Sequence, residues 1–165
     1  MNIHFAMRRA YSRLENRTPA PVDCWQFCGR RCCKGGEGDG MILFPGEDRL
    51  PAYFRVTDGV MAGRHVRFAV CPGRCGRRRR PLSCRIYPFA PYLNADGSLS
   101  IIPDPRAAYL CPLLAEPILS LVDRRFLRAV ESAFRDLLKA EGVRPVLEAY
   151  STMLDGYRAF VKRQD

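Results

Sequence analysis

A chain of 165 residues is long enough to bury a substantial core in one domain, so cysteine cross-links are not needed merely for folding. Its 47% apolar content excludes overall disorder, and no uncharged apolar run approaches the roughly 18 residues of a membrane span. The formal charge of +10 is uneven: residues 1–34 and 71–115 each carry seven basic and two acidic groups, and these two segments hold all eight cysteines.

The first residues, Met1 to Arg9, lack the apolar region of a secretory signal, so the expected location is cytoplasmic with no membrane partner. Ile3 to Leu14 reads as a short helix closed by Thr18-Pro19-Ala20-Pro21. Cysteines then crowd residues 24–33, followed by a glycine-rich loop at 35–40. No G-K-[ST] follows that loop, so it reads as a flexible connector and not a phosphate-binding loop. Met41 to Phe44 is predicted as a strand, and Pro45 to Leu50 as one or two helical turns with proline at the start. The alternation over 64–70 predicts a strand that leads into the second cysteine group.

Ile86 to Leu93, the turn Asn94-Ala95-Asp96-Gly97, and Leu99 to Ile102 predict a hairpin. Phe126, Leu127, Val130, Phe134, Leu137 and Leu138 recur at helical spacing until Gly142. After Pro145 the rhythm resumes through Val146, Leu147, Tyr150, Met153, Leu154, Tyr157, Phe160 and Val161. The predicted fold class is α+β. A small cysteine-rich metal-binding module with short strands and a hairpin occupies 1–115. A C-terminal antiparallel helical hairpin at 116–165 packs on it to make one compact domain.

Cys24, Cys28, Cys32 and Cys33 are spaced x3, x3, x0; on a helix the first three would lie near one face, although Gly29 argues against an unbroken helix. Cys71, Cys75 and Cys84 form the second group, and Cys111 follows alone. In a reducing compartment such clusters point to metal ligation or redox chemistry, since zinc and iron–sulfur clusters prefer thiolates drawn from more than one segment. Spacing leaves zinc and an iron–sulfur cluster both open. Adjacent Cys32 and Cys33 do not easily share one ion, so one is expected to face a second site or the core. The arginines beside the cysteines, Arg30, Arg31, Arg74, Arg77 to Arg80 and Arg85, with Lys34, are expected to favour thiolate and offset its charge.

The first cluster, the segment Ile42-Leu43-Phe44-Pro45-Gly46-Glu47-Asp48-Arg49-Leu50, and Arg80-Pro81-Leu82-Ser83-Cys84-Arg85-Ile86-Tyr87-Pro88-Phe89 together resemble the YkgJ-like cysteine-cluster family, CxxCxxCC-domain proteins described as zinc- or iron-chelating. Cys71 and Cys75 match the two cysteines usual ahead of the R-P-x-x-C-R-x-Y/F-P-F signature, and Cys111 resembles a further one after the hairpin. Coverage is about residues 24–112. The x3 spacing of the first cluster, the short Pro72-Gly73-Arg74 spacer and the Arg77–Arg80 run depart from the family pattern. The resemblance implies a bound metal ion or iron–sulfur cluster on these eight cysteines, without an established reaction.

Other signals carry less. Arg77 to Arg80 suits phosphate contacts but reads first as a solvated loop balancing thiolate charge. Tyr87, Phe89 and Tyr92 have the right chemistry to stack on bases, yet fit better as residues alternating into the core. His4 and His65 are the only histidines, and no Ser-His-Asp or paired-carboxylate arrangement stands out. The leading expectation is a metal-binding protein, with a protein partner as a further possibility. The rivals are a redox or transfer enzyme using a cluster or a spare thiolate of Cys33 or Cys111, and a zinc-stabilised nucleic-acid adaptor.

Overall fold

The computed structural model describes residues 1–21, 28–36, 38, 40–161 and 163, with backbone alone at Pro51. Helix α1 spans Ile3–Arg13, started by the Asn2 side chain, which accepts from the backbone N–H groups of His4 and Phe5. Its apolar side, Ala6, Met7 and Ala10, is buried. Strands β1 (Gly40–Leu43), β2 (Val56–Met61) and β3 (Arg64–Val70) form an antiparallel sheet in the order β1-β3-β2. A short helix, α2 (Leu82–Ile86), precedes the hairpin of β4 (Phe89–Leu93) and β5 (Leu99–Pro103).

Helices α3 (Arg124–Leu137) and α4 (Val143–Val161) form the hairpin-like C-terminal pair expected from their apolar stripes. Phe126, Val130, Phe134, Leu147 and Leu154 on these stripes are fully buried, each stabilising the fold by roughly 1.5–3 kcal/mol. Phe44, just after β1, packs edge-on against Phe134 at 5.0 Å and Tyr150 at 5.8 Å. One apolar core thus takes residues from α1, β1, α2, β4, α3 and α4. The α+β class stands as expected.

Four local readings change. Pro45 to Leu50 makes turns, and a 3₁₀ turn starts only at Leu50–Ala52. Ile86 belongs to α2, so the first hairpin strand begins at Phe89. Helix α4 starts at Val143, with Pro145 in its first turn, where a missing N–H costs no hydrogen bond. Strand β2 lies where the sequence predicts no element. Its Gly59 leaves room for the Phe68 ring, which a Cβ there would meet at 2.8 Å, and this small residue breaks the apolar alternation of the strand.

Three polar ties hold the elements around the core together. Arg13 and Arg9 of α1 reach Asp136 of α3 at 2.8 and 3.2 Å, and with Lys139 they hold that carboxyl below its usual range. The Leu93 N–H donates to Ser151 Oγ at 2.9 Å, docking β4 on α4. Asp104, whose side chain is fully buried, accepts from Arg106 through both oxygens at 3.0 and 2.6 Å. Arg106 also donates to Tyr150 Oη at 2.5 Å, joining the segment after β5 to α4.

Candidate functional site

The cysteine segments are brought together by backbone geometry. Gly29 (φ 57°) and Arg30 (φ 64°) both leave the right-handed helical region, so Cys28, Cys32 and Cys33 do not follow one helix face. Cys24 lies outside the described residues. Beyond Cys33 the chain runs against the loop that follows β3. The Gly36 N–H donates to the Cys71 carbonyl at 3.4 Å, and a Cβ on Gly35 would stand 2.9 Å from the Gly73 nitrogen. Both of these glycines have positive φ.

Cys84 arrives from a third direction, on α2. A buried acid sets that helix in place. Glu47 accepts from the Phe44 N–H at 2.7 Å, from the Leu82 N–H at 2.7 Å and from the Tyr11 hydroxyl. It therefore links the end of β1, the start of α2 and α1. Beside it, the buried Arg85 lies 4.4 Å over the Tyr11 ring and donates to the carbonyls of Arg80 and Arg78. Burial outweighs the three hydrogen bonds and the Arg85 charge, raising the Glu47 carboxyl to about 7.

Cys32, Cys33, Cys71, Cys75 and Cys84 line one cavity of about 540 Å³, with Met41, Phe54, Ala69, Tyr87 and Leu110 among its apolar walls. Burial pushes the Cys84 thiol up, and the nearness of Cys33, Cys75 and Cys71 adds to the push. Expected lowering by arginine neighbours is outweighed there, since the Arg85 guanidinium is turned to Tyr11 and to main-chain carbonyls. On the other side of Tyr87 a much smaller space, about 10 Å³, is lined by Cys28, Cys32, Cys111, Pro88 and Leu113. Burial raises the Cys111 thiol; the Leu113 N–H opposes this and Cys28 adds to it. The Sγ atoms of Cys32 and Cys33 are 3.9 Å apart, with Cys32 bordering both spaces.

Comparison with family models, curated proteins and solved structures finds no match to this chain. Seven of the predicted cysteines are thus sorted into two groups on either side of Tyr87, and none of the seven forms a disulfide. Among the described residues no three His, Cys, Asp or Glu side chains close around a point that would hold a metal ion. The described thiols line a space without closing on a point.

The remaining sequence signals fall elsewhere. His65 is exposed on β3 beside Asp58 and Arg67, and His4 lies 3.7 Å from Asp48. Phe89 is buried against Phe126, whereas Tyr87 borders both thiol spaces. Arg77 points inward: it donates to the carbonyls of Leu14, Glu15 and Arg17, closing the C-terminus of α1. Glu47 was missed as a site residue. Its only sequence signal is an acid following a Pro-Gly turn, which does not distinguish it from a solvated one.

Proposed function

We propose that the protein is a thiolate metal-binding protein, its principal centre held by Cys33, Cys71, Cys75 and Cys84. One observation carries this reading: residues from both cysteine clusters, separated by the 38 residues from Cys33 to Cys71, line the same cavity. The donor set fits soft metals, and four thiols from three segments match the habit of such sites. Cys28, Cys32 and Cys111 form a second thiol group. The resemblance to the YkgJ-like family supports the same chemistry.

Four thiolates suit a zinc ion or an iron–sulfur cluster alike. A bound cluster would supply one-electron chemistry. Around it, Glu47 would fix α2 and hence Cys84, while Met41, Phe54 and Leu110 would restrict water. The inward commitment of Arg77 weighs against the nucleic-acid adaptor, which needs a continuous basic track.

Anaerobic purification followed by metal analysis and visible absorption tests the proposal. Iron with acid-labile sulfide in a brown protein supports the cluster. Zinc in a colourless protein keeps thiolate ligation and replaces the cluster with structural sites. A metal-free chain that stays folded with chelator present ends the proposal.

A further inference from the structure

A second concavity of about 530 Å³ adjoins the thiol cavity and shares Cys33 and Cys75 with it. Phe54 and Arg80 are also common to both, and the remaining walls of this cleft are rich in arginine. Arg30, Arg74, Arg77, Arg79 and Arg80 line it together with Tyr53 and Phe54, and no carboxylate does so among the described residues. The guanidiniums come from three segments: the first cysteine loop, the Cys71–Cys75 loop, and the 3₁₀ turn Arg77–Arg79 with the residue after it.

The turn sorts the arginine run. Arg79 N–H donates to the Gly76 carbonyl and Arg80 N–H to that of Arg77, fixing the direction of successive side chains. Arg78 lies outside the cleft, 3.8 Å from Glu15. Arg77, which also lines the cleft, is tied to the end of α1. Arg79 rests 4.9 Å over the exposed Tyr53 ring, which limits the freedom of its head group before any ligand arrives. Arg74 is exposed at the same cleft.

We propose that this cleft binds a small anion bearing a phosphate or pyrophosphate group, held chiefly by Arg74 and Arg79 beside Cys33 and Cys75. Arg74 and Arg79 line one space from separate segments, and planar guanidinium forks suit an anion with several oxygens better than a single carboxylate. The volume lies in the range of small-molecule sites. The cleft is concave and local, and the inward turn of Arg77 interrupts any basic stripe, so a small ligand fits better than a nucleic-acid strand. The proposal does not rest on metal binding, because the groups that hold the anion are arginines and not the thiols.

The test is calorimetric titration of inorganic pyrophosphate into the full chain as isolated, with its metal content measured separately. Saturable one-to-one binding is expected. Arg74→Ala/Arg79→Ala should weaken it by about tenfold or more. Arg64→Ala/Arg128→Ala, which removes the same charge from exposed positions outside the cleft, should leave it unchanged. Equal loss in both double variants, or no binding by the folded chain, overturns the site. So does binding confined to a single-stranded oligonucleotide with a multi-contact salt dependence, which would mark a nucleic-acid surface instead.

Discussion

The backbone of Gly35 lies against that of Gly73 closely enough that a Cβ on the first would stand 2.9 Å from the nitrogen of the second. This contact presses the loop after Cys33 onto the loop between Cys71 and Cys75. Gly35→Ala therefore meets main chain, which cannot swing aside, and adds the strain of a side chain at φ 78°. A loss of about 1–2 kcal/mol from the φ strain alone is expected, together with reduced metal content on purification. Gly156→Ala is the opposite case. That glycine is in α4 with open space around it, and alanine there should stabilise by up to about 1 kcal/mol. Thermal unfolding of the two variants should move in opposite directions.

The division of thiols on either side of Tyr87 predicts two classes of cysteine variant. Cys71→Ser, Cys75→Ser and Cys84→Ser should each remove the same portion of bound metal and the same spectral features. Cys111→Ser and Cys28→Ser should leave that portion in place. Metal stoichiometry and absorption spectra of the five variants check this. A uniform loss across all five would mean one undivided centre.

Glu47 predicts a pH dependence of stability. Its carboxyl rises from an ordinary 4.5 to about 7 in the fold, so the folded state binds the proton more tightly than the unfolded chain. Its contribution is fully present below about pH 4.5 and is lost as pH rises through about 7, a change on the order of 3 kcal/mol. Glu47→Gln should flatten this slope, at the cost of one acceptor for the Phe44 or Leu82 N–H. Urea unfolding of both proteins between pH 5 and 8 gives the comparison, and parallel slopes would sink the assignment.

Buried Asp104 and half-buried Arg106 form a pair whose rupture should be costly. Asp104→Ala leaves a partly exposed guanidinium facing Tyr87 and Tyr150 without its carboxylate, and a loss of about 2–3 kcal/mol is expected. Tyr150→Phe keeps the ring packed on Phe44 and removes only the hydroxyl that accepts from Arg106. Its cost should be about 1 kcal/mol. Chemical denaturation of the single and double variants gives the coupling directly.

Long amphipathic elements were legible in the sequence because one residue in three or four repeats the same choice. The stripe from Phe126 to Leu137 lies inward as expected, and the second does so from Val146 to Leu154, whereas Tyr157 and Phe160 at its end are exposed because the helix there has run past the core. The Asp96-Gly97 turn likewise placed the β4–β5 hairpin. What failed was short or depended on distant partners. Leu82 and Ile86 are a single helical pair whose N-terminus is held by Glu47, 35 residues earlier, and nothing local announces that. Strand β2 hides behind Gly59 because the apolar surface completing its face belongs to Phe68 on β3. Of the candidate site, the identity of the thiols was readable. Their sorting around Tyr87 was not, since spacing says nothing about which wall a loop will line.

The cavity draws its walls from segments that leave the ribosome at different times. Cys32 and Cys33 emerge about 50 residues before Cys84, an interval of roughly 3–10 s at ordinary elongation rates. For that time the early thiols have none of the later wall to shelter them. Assembly then depends on how long a nascent chain keeps its first sulfurs reduced, and slower translation between Gly35 and Arg80 would lengthen the exposure.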